Sequence, residues 1–189
     1  MMHRVNARLR VRVLKAARSE TGSAAVEFAL IAPVLVLLLA VTFEIALMVR
    51  ARFTLISVIS AASNHTLAIA GAGDGASAHD MASKVVSLLA GGGRDATVNV
   101  NNAVSAQLSG GSITITQHGG SILDCYCLSR SEPGLVWGGA TQCGAACADG
   151  NIAGAFVEIS AQTPFTPIFG AIGLFNPDAH RDFSVVRLP

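Results

Sequence analysis

Between Phe28 and Met48 the chain runs for twenty-one residues with one charged side chain, Glu44. As an α-helix at 1.5 Å per residue this run is about 31 Å long, enough to cross a bilayer core of roughly 30 Å. No other feature constrains the fold as strongly. Pro33 lies inside the run and has no N–H, which predicts a kink or a loosened first turn. Just before the run stands Gly22-Ser-Ala-Ala-Val-Glu27-Phe28. A carboxylate at the mouth of a membrane helix is costly unless a cation meets it. Cutting after Gly22 would supply one, because Ser23 would then carry an α-amino group, mostly protonated near neutral pH. Ser23 and Glu27 stand at i and i+4, on one helix face and roughly 6 Å apart along the axis. The spacing predicts a device that couples cleavage to charge pairing.

Charge is distributed to match. Six of the thirteen Lys and Arg residues (Arg4, Arg8, Arg10, Arg12, Lys15 and Arg18) precede Gly22, against one acid, Glu20. Without that leader, seven basic and eleven acidic side chains remain, a net charge of −4. A basic segment beside an apolar span, with no interleaved aromatics, sets topology and argues against a nucleic-acid partner. The excess of positive charge places residues 1–22 in the cytoplasm and the chain beyond about Arg50 across the membrane; Arg50 and Arg52 oppose this but are outnumbered. All four cysteines lie beyond the span, as disulfides in an oxidising compartment require. A secretory signal is the rival for this region. Its apolar core would be about 7–15 residues with a small-x-small site close behind. Here the run is longer, and Ala68-Ile-Ala70 lies well past its end.

Gly22 and Ser23 with Glu27 and Phe28, followed by Ala29-Leu-Ile-Ala-Pro33, resemble the TadE-like family, the minor pilins or pseudopilins of the tight-adherence branch of type IV pili. Glu44 followed by Arg50 is similar to that family's second acid late in the span. A weaker likeness is Pro164-Phe-Thr-Pro167 ahead of a last strand carrying Arg187. The resemblance implies cleavage between Gly22 and Ser23 by a membrane prepilin peptidase and partners among the other Tad pilins and inner-membrane platform proteins. It also implies a single-pass inner-membrane protein whose head, residues 71–189, is periplasmic and pilin-like. Glu27, with Phe28 beside it, would then pair with the new amine during assembly. Glu44 is open to two readings, snorkelling to the interface or contact with another subunit.

Beyond the span, Phe53, Ile56, Ile59 (with Val58), Ala62 and Thr66 recur at spacings of three and four. They predict that the helix continues to about residue 70 and packs on the head. Gly71-Ala-Gly-Asp-Gly75 ends it. Ser77 reads as an N-cap with Asp80 three residues on, and Met81, Val85, Leu88 and Leu89 form the apolar face of a short helix closed by Gly91-Gly-Gly93. Alternation then replaces helical periodicity. Val98 with Val100, Ile113 with Ile115, Ala155–Ala161 and Asp182–Leu188 predict about four strands, with further strand around Val104–Leu108. The fold class is α+β: one long helix, one short helix and an antiparallel sheet. Phe165–Phe175 is expected to be an exposed loop.

Cys125-Tyr-Cys127 and Cys143-Gly-Ala-Ala-Cys147 bracket a fifteen-residue loop. Zinc is one reading, but C-x-C and C-x3-C depart from the usual knuckle spacing. Disulfides are the main one, at about 2–4 kcal/mol each, and pairings that join the two clusters are favoured because a C-x-C bridge is strained. No C-x-x-C redox pair is present. His3, His65, His79, His118 and His180 are scattered, and no G-x-S-x-G, H-E-x-x-H or phosphate loop occurs. The expectation is a structural protein with no catalytic residues, metal or cofactor. The alternatives are an uncleaved, signal-anchored periplasmic binding module and, more distantly, a protein secreted by cleavage near Ala70.

Overall fold

A computed structural model describes residues 22–71, 77–131, 134–168 and 179–189. The basic leader, most of the turn after Gly71 and much of the loop expected at Phe165–Phe175 lie outside the described residues. Helix α1 (Ser23–Gly71) runs through Pro33 without a break. Helix α2 (Ala78–Leu89) follows, then strands β1 (Asp95–Val100), β2 (Val104–Ser109), β3 (Ser112–Gln117), β4 (Cys125–Ser131), β5 (Gly134–Thr141), β6 (Phe156–Pro164) and β7 (Ala179–Arg187). The chain divides between Ala46 and Leu47 into two compact units, and α1 contributes to both.

In the first unit, the apolar side chains of α1 face outward: Phe28, Leu30, Ile31, Val34, Val36, Leu38 and Leu39 are all exposed. A helix whose apolar side chains are exposed on every side is suited to lipid. It is long and apolar enough to cross a membrane.

In the second unit, β3-β2-β1-β6-β7 form one antiparallel sheet, and β4-β5 a separate hairpin. Side chains alternate as an antiparallel sheet with one covered face requires. Ala96, Val98 and Val100, then Val104, Ala106 and Leu108, then Val157, Ile159 and Ala161, turn inward. Over them lie Met81, Ala82, Val85, Val86 and Leu89 of α2 and Leu55, Ile59 and Ala62 of α1. Ser63 Oγ also donates to Ser184 Oγ of β7 at 3.0 Å. The N-cap of α2 forms as expected, Asp80 N donating to Ser77 Oγ at 3.1 Å.

The α+β class holds, with five strands in the main sheet and two in the hairpin. The strand suspected near Val104–Leu108 is β2, joined to β3 by Gly110 and Gly111, both at positive φ. The buried stripe on α1 differs from expectation: Leu55, not Phe53 or Ile56, begins it, and Phe53 is 67% exposed. Where apolar residues are this frequent along a helix, several threefold and fourfold series coexist, and tertiary packing selects one. Leu88 of α2 is likewise exposed, its place taken by Val86. β3 is exposed along most of its length rather than half-buried, because it forms an edge of the sheet.

Candidate functional site

Two places carry the residues singled out in the sequence. The first is the start of α1. Gly22 is exposed and precedes the first α-helical residue, Ser23. One turn on, Ser23 Oγ donates to Glu27 Oε1 at 3.3 Å, which brings the two onto the same helix face. Phe28 beside them is 70% exposed. A group carried on residue 23 therefore lies within reach of this carboxylate. Glu44, near the end of the apolar run, is fully buried.

The second place is the cysteine region. Disulfides join Cys125 to Cys143 and Cys127 to Cys147, with Cα separations of 5.0 and 5.7 Å. Both connect one cluster to the other, and no free thiol is left for zinc. Among the described residues no three His, Cys, Asp or Glu side chains gather as metal ligands.

Most of what lies between the clusters is strand rather than loop. It is a hairpin, irregular where the register shifts between Tyr126 and Leu128. Gly138 makes the irregularity possible: a Cβ there would sit 2.9 Å from the Cys127 carbonyl oxygen. Gly138→Ala is therefore expected to cost about 1–3 kcal/mol through forced backbone movement. Gly139→Ala, which meets no atom within 4 Å, serves as its control. Thermal unfolding of both oxidised proteins checks this, and equal midpoints would count against the close-approach argument.

The hairpin is closed on itself by an aromatic pair, bridged to the segment ahead of β6, and met by Glu158 of the main sheet. Tyr126 is buried, its ring edge-on to Trp137 at 5.6 Å. Tyr126 N donates to Gly154 O at 2.8 Å, and Gly154 N donates back to Tyr126 O at 3.2 Å. Arg187 lies across Gly154, leaving room for no Cβ, and reaches Ala153 O at 3.5 Å. Glu158 of β6 is half-buried. Burial raises its carboxyl above the ordinary range, an effect partly offset by the Leu135 backbone and the nearby Trp137 indole, whose own N–H falls short of a full hydrogen bond.

Sequence reasoning missed the residue that organises this region. Asn101 is fully buried, in the left-handed conformation at φ 48°. Its Nδ2 donates to Ser121 O at 2.8 Å and Asp124 O at 2.7 Å, and its Oδ1 accepts from Phe156 N at 3.1 Å. The only local hint was Asn101-Asn102, a pair suited to a turn with positive φ at both positions.

Of the histidines, His118 Nε2 meets Ser105 Oγ at 2.8 Å, and His180 lies against Phe165. Among the described residues neither belongs to a group of three metal ligands, and His65 is exposed.

An apolar helix of membrane length, led by a Gly–Ser boundary and a carboxylate one turn on, and followed by a disulfide-pinned α+β head, defines a class: proteins with, among the described residues, one N-terminal membrane-spanning candidate and a small folded domain. Within it, residues 22–63 match the family model described as TadE-like protein. The match covers the Gly22–Glu27 face and most of α1, and stops before the sheet, the cysteine hairpin and the Pro164–Pro167 segment. No curated protein and no solved structure matches the chain.

Proposed function

We propose that this chain is a minor pilin or pseudopilin precursor that, after cleavage between Gly22 and Ser23, supports assembly of a Tad-type pilus. The observation that carries the reading is the Ser23–Glu27 contact on one face of α1, inside the stretch that matches TadE-like proteins. In this scheme α1 holds the subunit in the inner membrane with the leader cytoplasmic and the head periplasmic. A membrane prepilin peptidase releases the Ser23 amine, and Glu27 pairs with that amine, its own or a neighbour's, as helices bundle with other Tad pilins and platform proteins. An unpaired buried charge costs several kcal/mol, so the pairing imposes both register and prior cleavage. The role is structural rather than catalytic.

N-terminal sequencing and intact mass of the membrane-extracted protein test this. A chain beginning at Ser23 is expected. A chain retaining its first twenty-two residues would instead support an uncleaved anchored binding module.

A further inference from the structure

On the side of the main sheet away from its core, cross-strand partners line up in rows of polar side chains. The first row, Asp95, Gln162 and Arg181 of β1, β6 and β7, is knit together. Arg181 Nη2 donates to Gln162 Oε1 at 2.9 Å, Gln162 Nε2 donates to Asp95 Oδ2 at 3.3 Å, and Gly110 N donates to Asp95 Oδ1 at 3.3 Å. The third row passes through Glu158, whose carboxyl lies by the Leu135 backbone and the Trp137 indole of the hairpin. Between them the middle row is low. Its centre is Thr97 and Ser160, both short, with Gln107 of β2 at one end and Phe183 of β7 at the other. The result is a cavity of about 350 Å³, open to solvent on one side. That volume falls at the small end of the range for ligand sites, about 300–1,000 Å³.

The walls and the floor of this cavity differ in what they have left to offer. The charged groups of the walls already have polar neighbours within the head. Thr97 and Ser160 are half-buried, and among the described residues neither these hydroxyls nor the Gln107 amide makes a hydrogen bond. The groups free to meet a ligand are therefore neutral, and each can both donate and accept. Two carboxylates against one guanidinium disfavour an anion. A wholly apolar ligand would strip water from the hydroxyls and return no hydrogen bond. Phe183 adds the one aromatic face in the lining. A ligand that matches carries many hydroxyls and also an apolar C–H face, which is the chemistry of a sugar ring. We propose that this hollow binds a neutral mono- or disaccharide, its hydroxyls on Thr97, Ser160 and Gln107 and a ring face against Phe183. The proposal concerns the head alone and does not rest on the pilin reading.

Saturation-transfer NMR of the full-length chain in phosphatidylcholine nanodiscs tests it. The probes are the methyl glycosides of glucose, galactose, mannose and N-acetylglucosamine, with empty nanodiscs as the blank. Transfer to at least one probe is expected, with a dissociation constant on the order of millimolar in so open a site. Ser160→Phe, which fills the hollow, should weaken that binding at least tenfold. Thr97→Val, which keeps the shape and removes one hydroxyl, should weaken it at least threefold. Thr116→Val, on the same face but outside the cavity, should leave it unchanged. Intact disulfides and an unchanged unfolding midpoint certify each variant; if Ser160→Phe does not fold, Thr97→Val alone decides. Transfer to none of the four probes, transfer no greater than the blank, or binding indifferent to Thr97→Val would overturn the proposal. So would tighter binding of glucose 6-phosphate than of methyl glucoside, which would mark an anion site. N-terminal sequencing reports cleavage at Gly22 separately, so either reading can fail while the other stands.

Discussion

Asn101→Ala is expected to remove about 3–5 kcal/mol of stability from the head. The loss does not come from a cavity alone. The Asp124 carbonyl and the Phe156 N–H lose their Asn101 partner in a part-buried place, and the Ser121 carbonyl keeps only the Asp124 N–H, at 3.1 Å. Each unsatisfied buried group costs about 1–3 kcal/mol. The backbone adds a smaller penalty, because asparagine tolerates the left-handed conformation better than alanine. These three partners belong to segments leading into β4 and β6, so one substitution loosens both the main sheet and the entry to the cysteine hairpin. Against a total stability that for such domains is about 5–15 kcal/mol, this is a large share. Thermal unfolding of the detergent-solubilised, oxidised chain should show a midpoint lower by roughly 10 °C or more. A shift under about 2 °C would mean that water replaces the side chain without loss. Asn102→Ala keeps the second turn position but breaks none of these three bonds, and serves as the comparison.

Glu27→Gln is expected to leave the chain in the membrane and to abolish or severely reduce pilus assembly. The substitution keeps the shape of the side chain and its capacity to accept from Ser23 Oγ, and removes only the charge. If pairing with a freed Ser23 amine sets the register of bundling helices, the glutamine chain inserts, is cleaved and then fails to join. A buried cation without its carboxylate costs several kcal/mol, a factor of a hundred or more in an association constant. Membrane fractionation, N-terminal sequencing and counting of surface pili separate these steps. Normal piliation by the glutamine variant would remove the electrostatic role of Glu27.

These two residues mark the limits of what the chain discloses before it is folded. The placement of Glu27 on the face of Ser23 was legible because its context is local: one acid, one apolar run, one glycine five residues upstream. The cap at Ser77 and the alternation of Val157 and Ile159 with Glu158 and Ser160 were legible for the same reason. Asn101 was not, since its partners lie 20, 23 and 55 residues away, and a buried asparagine looks locally like any turn residue. The cysteine pairing was anticipated in kind, as bridges between the clusters. The hairpin they pin was hidden by Gly134, Gly138 and Gly139, which read as loop. One of those glycines is there because a strand irregularity needs the space. On α1 the periodicity was real but admitted more than one face. Only the sheet beneath it decides for Leu55 over Phe53 and Ile56.

The division of α1 between two compact units has a consequence for the life of the molecule. Leu55, Ile59 and Ala62 belong to the same helix as the exposed apolar stretch, yet they close the interior of the head. A protease acting near Ala70 would carry all three away with the anchor. The burial forfeited, about 5 kcal/mol at 1.5–3 kcal/mol for each large aliphatic side chain, approaches the whole stability of a small domain. Release of an intact head by such a cut is thereby disfavoured: severed from its stalk, the fragment would have lost its own lining.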